Sequence, residues 1–510
     1  MAERHAYRQT SEGLTRRGRG TSLVQHSQTT TYLCDIGNAT IDMLPDEVLV
    51  EIFELYIEEL GDEEDWETLL HVCRRWRQIA FAAPRRLELR IVCTAGTPAR
   101  ALLDVWPTLP ILVRVVGLDD EDLDNVVAAV EHNNRISEIY IKDVSNYALE
   151  RIAAAMQRPF PEMTDCVLVS FDEIVTDLPD SLLGGSAPRL RSLMLESIPF
   201  PALPNLLLSA TNLVRLRLND VPASGYIPLE AMVDCLSLLT GLEELQLEYR
   251  SSYPLFDQTS RRLLPLTRTV LPVLTRLSFH GVAEYLEGIF ASIEAPLLEC
   301  VHITFLSPGI FDVSRVSMFI GRTKRFEGFD QAHIHFDQHF VNVTLSSRKG
   351  ATGGVSLKFS VRCIGSVWQL QYLSRNHSRF VPPLRDLERF DLREFQNRLS
   401  PLWTDGMESA TSRWLELLRH FTSVETLYLS EGLAHCVAPA LKGLTEDDVN
   451  GVLPTLQTLL IETPTIGTCP GGHWGVCRHE RAHWSPRRSP MLVRERGPYQ
   501  LFRELMLLLP

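Results

Sequence analysis

The sequence predicts an α+β chain: a small all-α module near the N-terminus, then a long array in which short strands alternate with helices. Three observations predict it. Two apolar stripes at helical spacing lie between residues 41 and 85. From residue 86 onward the pattern L-x-x-L-x-L recurs, with the alternation of a half-buried strand. Leucine makes up 77 of the 510 residues, a bias that points to internal repeats.

Composition narrows the function classes. Lys and Arg total 50 and Asp and Glu total 64, a net charge of −14. That balance argues against broad electrostatic attraction to nucleic acid or to an anionic membrane. An apolar fraction of 45% is ordinary for a soluble globular chain. Ten cysteines are scattered from Cys34 to Cys477, which is no disulfide framework. A reducing compartment, cytoplasmic or nuclear, is expected. The first residues are polar and lack the apolar core of a signal peptide. No stretch reaches the roughly 18 apolar residues of a membrane helix, so no membrane partner is expected.

Residues 1–40 are rich in Ser, Thr, Gly and Arg without periodicity and read as a disordered tail. A first helix follows, with Leu44, Val48, Leu49, Ile52, Phe53 and Tyr56 on one stripe. Asp42 suits its N-cap, Pro45 its first turn, and Asp46 and Glu47 its dipole; Gly61 ends it. An acidic connector spans residues 62–65. A second helix is expected to carry Leu69, Leu70, Val72, Cys73, Trp76, Ile79 and Ala80, with Arg74, Arg75 and Arg77 late in it and Pro84 closing it. Residues 41–80 hold twelve acidic and three basic side chains, a local net of −9. So small a module needs a neighbour or partner to bury its stripe.

Leu44-Pro45-Asp46-Glu47-Val48-Leu49, Ile52-Phe53 and Val72-Cys73-Arg74-Arg75-Trp76-Arg77-Gln78-Ile79-Ala80 stand in the order L-P-x-E-[LIV]-[LIV], I-F, V-C-[KR]-x-W-[RK]-x-[LI]-A. Residues 41–85 therefore resemble the F-box, most of all the F-boxes abundant in mushroom-forming fungi. The acidic insert around 59–65 is a departure. The resemblance implies a substrate-recruiting adaptor whose helices dock on the Skp-type adaptor of an SCF-type cullin ubiquitin ligase. It implies apolar anchors at Leu44, Pro45, Val48, Leu49, Ile52 and Phe53. Val72, Cys73 and Trp76 would partly anchor and partly pack the internal core. Such an adaptor acts by position, raising the effective concentration of a target near the ligase. It is not an enzyme and needs no catalytic residue or cofactor.

In residues 86–463 the middle positions of the repeated pattern include Ile139, Cys166 and Leu193, 27 residues apart, then Leu216, Leu245, Leu277 and Val301. After a gap come Phe390, Leu427 and Leu459, and Leu112 fits one step before Ile139. Helical returns are expected at Asp122–Val130, Ala148–Met156 and Met232–Leu239. The pattern resembles leucine-rich repeats, which implies an α/β solenoid presenting an extended face to a protein substrate. Val144, Phe171, Ile198 and Val221 stand where that family carries its asparagine. A non-repetitive α/β domain with similar strands is the alternative architecture. A strand-rich segment, 304–386, breaks the pattern as an insertion or as distorted repeats. Strands are expected there at Ile334–Phe340, Val341–Leu345 and Val355–Val361, with Gly350, Gly353 and Gly354 at a turn. Residues 464–510 read as a basic Pro- and Gly-containing tail.

Other motifs carry little chemistry. His479-Glu480-Arg481-Ala482-His483 has the H-E-x-x-H form of zinc proteases, but Pro486 stops the helix it requires. Cys469, His473, Cys477, His479 and His483 have zinc-ligand types in no recognised spacing. His333, His335, Asp337 and His339 would share one face of a strand, read as its solvated side. Arg16–Arg19 and Arg487–Arg488 read as solvated tails rather than nucleic-acid contacts. No metal site is therefore expected. A repeat scaffold without a ubiquitin-ligase role is the main alternative function, and a cryptic hydrolase or metal enzyme a third.

Overall fold

The recurring leucines meet one another across a sheet. The computed structural model describes residues 41–60, 66–103, 108–119, 122–172, 175–250, 268–306, 314–337, 339–347, 354–363, 369–374, 386–394, 407–442, 451–462 and 491–493. Within them lies one 16-stranded sheet. Across it run Ile91–Cys93, Ile111–Val116, Ile136–Val144, Asp165–Ser170, Ser192–Glu196, Arg215–Val221, Glu244–Tyr249, Arg276–Gly281 and Cys300–Phe305. All pair parallel with their neighbours.

Register follows the repeat. Ile139 is the Cα partner of Cys166, Cys166 of Leu193, and Leu193 of Leu216. Leu216 then pairs with Leu245, Leu245 with Leu277, and Leu277 with Val301. Every one of these side chains is buried. A second buried row, Ile141, Leu168, Leu195, Leu218, Leu247, Phe279 and Ile303, runs beside it. A one-residue slip would turn both rows to the opposite face, so burial specifies the register. Parallel neighbours require crossovers, and helices supply them: Leu123–Val130, Asn146–Ala155 and Leu229–Leu238 lie close to where the periodicity places them.

Two details differ from the sequence expectation. The partner of Ile139 is Val113, not Leu112, because the register shifts between Ile111 and Leu112. The residues before Val144, Ile198 and Val221 share a backbone conformation that the sequence pattern does not announce. Asp143, Ser197 and Asp220 adopt positive φ of 55°, 61° and 49° just past their strands' core positions. This kink turns Val144, Ile198 and Val221 back into the core, whereas Phe171 is exposed. Asp and Ser carry short polar side chains, and Asp is among the residues best suited to that conformation.

The segment that breaks the pattern stays inside the same sheet. The strand after Cys300–Phe305 in space is Ser356–Arg362, then Phe340–Ser346, then Gln331–Phe336, then Arg389–Glu394. Only Phe340–Ser346 of these runs antiparallel to its neighbours. The first strand ends at Phe336 and the next begins at Phe340, so the expected Ile334–Phe340 strand is corrected to a strand and a reversal. The leucine row nevertheless continues unbroken through Val301, Leu357, Leu345, Ala332, Phe390, Leu427 and Leu459. Next to it Asp391 is wholly buried, held by His333 at 3.1 Å and Arg389 at 2.8 Å. Burial pushes its carboxyl up, but hydrogen bonds from His333 and Arg389 prevail and hold it below its usual value.

One apolar core runs from Leu49 to Ile461 and so includes the N-terminal helices. Among the described residues no helix is long and apolar enough to cross a membrane. Residues 1–40 and the Cys469–His483 and H-E-x-x-H groups lie outside the described residues. Leu193→Ala, between Cys166 and Leu216, is expected to cost about 2–5 kcal/mol by the lost burial and the cavity. Leu208→Ala, on an exposed helical position, is expected to stay within about 0.5 kcal/mol. Urea unfolding of the two variants checks the difference.

Candidate docking surface on the N-terminal helices

Three helices build the module: α1 (Asp46–Leu60), α2 (Glu67–Val72) and α3 (Arg74–Ala82). A single 3-10 turn, Ile41–Met43, precedes α1. The helix starts later than an Asp42 cap implies. Pro45 disfavours a helical conformation at Leu44, and the first α-type bond runs from Leu49 N to Pro45 O at 3.1 Å.

The expected single second helix is two. Cys73 is extended, with φ −158° and ψ 170°, and separates α2 from α3. Its Sγ accepts a hydrogen bond from Trp76 N at 3.4 Å, the geometry of an N-cap. Arg74 and Arg75 therefore lie at the start of a helix, where the dipole does not favour them. Their neighbourhood offers other partners. Arg75 bonds Asp46 Oδ1 at 2.6 Å and the Leu44 carbonyl at 2.7 Å. Arg77 donates to the Leu70 carbonyl at 2.8 Å, satisfying one of the free carbonyls at the end of α2. The arginines thus lock α3 onto α1 and α2.

Helix α1 has two apolar faces. Leu49 and Phe53 are fully buried, and Phe53 packs on the half-buried Trp76 with ring centroids 4.8 Å apart. Val48, Ile52, Leu55 and Tyr56 stand at helical spacing on the outer side, with Leu55 65% exposed. Met43, 73% exposed, and Val72, 58% exposed, add to the outward apolar set. Pro45 is exposed, while Leu44 and Cys73 are half-buried.

The nine anchors expected from the sequence therefore divide. Pro45, Val48, Ile52 and Val72 face outward; Leu49 and Phe53 face the interior and hold the helix in place; Leu44, Cys73 and Trp76 lie between. Met43, Leu55 and Tyr56 were missing from that set, although Leu55 follows Val48 by seven residues, two helical turns. The outward stripe is rimmed by exposed Glu47, Glu51, Glu58 and Glu59. Arg86 draws Glu54 away from that rim, at 3.1 Å.

The inner face joins the module to the sheet. Trp66, buried at the start of α2, donates its indole N–H to the Arg90 carbonyl at 3.0 Å, one residue before the first strand. An apolar stripe with its reverse side fixed in a core can be offered to a partner without first paying for its ordering.

Burial pushes the thiols of Cys93 and Cys166 up to about 11 and about 12, which suits packing rather than nucleophilic use. His333 and His335 share a strand, but Asp337 and His339 fall in the reversal beyond it. Among the described residues no group of three or more His, Cys, Asp or Glu is placed to hold a metal ion. Phe53→Ala is expected to cost about 3–5 kcal/mol, whereas Leu55→Ala should leave stability within about 0.5 kcal/mol. Thermal unfolding monitored by far-UV circular dichroism separates the inward from the outward face.

No curated protein matches the chain. Residues 41–84, which hold all three helices and the outward stripe, match the F-box-like family.

Proposed function

We propose that this protein is an F-box substrate-recruiting adaptor of an SCF-type cullin ubiquitin ligase. F-box domains generally bind Skp-type adaptors. The observation that carries the reading is the outward stripe of Val48, Ile52, Leu55 and Tyr56 on a segment that matches the F-box-like family. A helix presenting apolar side chains at this spacing is suited to a groove on a partner. Leu55, 65% exposed, has the most surface left to cover, worth roughly 1–2 kcal/mol before the costs of association.

The in-register leucine rows, with helices between parallel strands, favour reading residues 86–463 as an irregular leucine-rich-repeat solenoid beside an F-box at 41–85. In this reading the exposed side of the sheet receives a protein substrate. No residue of the chain performs chemistry: the target is held near a ubiquitin-loaded enzyme, in the cytoplasm or nucleus. Purified Skp-type adaptor is expected to capture the full chain. An Ile52→Asp/Leu55→Asp variant is expected to lose capture at least about tenfold while melting near the unaltered protein. Equal capture of both by pull-down would remove the reading.

A further inference from the structure

The side of the sheet opposite the leucine rows has an uneven charge pattern. Five spatially adjacent strands, Arg276–Gly281, Cys300–Phe305, Ser356–Arg362, Phe340–Ser346 and Gln331–Phe336, contain no Asp or Glu. The strands on either side do: Glu244–Tyr249 carries Glu244 and Glu248, and Arg389–Glu394 carries Asp391 and Glu394. In a chain of net charge −14, a five-strand gap in carboxylates is a marked local departure.

Lys358 sits at the centre of the gap. Its Cα partners are His302 on one side and Thr344 on the other, and His302 is partnered in turn by Ser278. The next row on the same side brings His280, Thr304, Ser360 and Asn342 into register. Lys358 and both of these histidines are half-buried, and Lys358 makes no ion pair among the described residues. Burial lowers the affinity of Lys358 for its proton, and no neighbouring carboxylate offsets that. His302 is pushed down to about 4 by burial, with Lys358 and His280 adding to it. The Nε2 of His280 is buried without a hydrogen-bond partner. A partly desolvated ammonium with no counter-charge costs stability, which an anionic ligand would return.

We propose that this face binds an acidic, extended segment of a partner protein, with Lys358 as the central contact. Charge complementarity selects the occupant. The hydroxyls of Ser278 and Thr344 and the imidazoles of His302 and His280 surround Lys358 with groups able to donate hydrogen bonds to carboxylates. The width of five strands is roughly 19 Å, which accommodates about six residues of extended chain. Glu248 bounds the acidic stretch on one flank; on the other, the buried Asp391 is matched by Arg389 and Arg393 and does not repel it. The proposal rests on the adaptor reading only in calling this partner a substrate; the binding itself does not depend on the N-terminal helices.

Fluorescence anisotropy with a fluorescein-labelled octa-glutamate peptide tests it on the full chain. The unaltered protein is expected to bind with an affinity that falls as salt rises. Lys358→Glu should weaken binding at least about tenfold, and Lys358→Met, which keeps the apolar stem, should do so if the first variant does not fold. Arg487→Gln/Arg488→Gln should bind as the unaltered protein does. No binding by the unaltered protein, equal binding by a folded Lys358 variant, loss in the Arg487/Arg488 variant, or tighter binding of a single-stranded oligonucleotide of equal charge would each overturn the proposal. Adaptor capture by the Lys358 variants should be unchanged, so failure here is distinguishable from failure of the adaptor reading.

Discussion

Everything in this molecule depends on the register of its leucine rows. One side chain in each strand meets its counterpart in the next, from Ile139 through Leu193, Leu245 and Val301 to Leu427 and Leu459. Because the side-chain period of a strand is two, the choice of face at one pairing dictates the choice at all the others. The helices that cover the buried side follow from parallel pairing, which leaves the chain needing a crossover after each strand. The opposite side is left to carry polar residues, among them the carboxylate-free stretch around Lys358.

The inserted segment shows how strong that constraint is. Residues 331–362 reverse direction twice and enter the sheet out of sequence order, yet Leu357, Leu345 and Ala332 take up the same buried row. The antiparallel strand Phe340–Ser346 fits between parallel neighbours because strand alternation, not strand direction, decides which side chains reach the core. At the N-terminal end the row is closed by helices rather than by another strand. Phe53 and Leu49 extend the apolar core, and the Trp66 indole ties α2 to the backbone at Arg90. The outer stripe of α1 is thereby left exposed.

Much of this was legible in the sequence where one period governed a long stretch. The spacing of Ile139, Cys166 and Leu193 identified true Cα partners, because no bulge intervenes at those pairings. Leu112 was misplaced by one residue because a local register shift changes no composition. The strand read as Ile334–Phe340 ran through a reversal because Phe336 and Phe340 keep the apolar alternation across it. At the candidate site, Val72, Trp76 and Ile79 hold helical spacing through the break at Cys73, so the stripe concealed the cap. Composition likewise does not separate Leu49 and Phe53 from Val48 and Ile52. All four are apolar, and only packing against α3, through Trp76, decides which pair turns inward. The bare face around Lys358 was hidden for a related reason: its members come from distant parts of the chain and meet only through the sheet order.

Hydrogen exchange of the full chain, with and without purified Skp-type adaptor, tests most directly the claim that the two faces of α1 have separate tasks. Slowed amide exchange is expected in peptides covering residues 46–60 and 67–82, with the strands from Ile136–Val144 to Cys300–Phe305 unchanged. Unchanged exchange in those helices at saturating adaptor, or slowing confined to the strands, would contradict it.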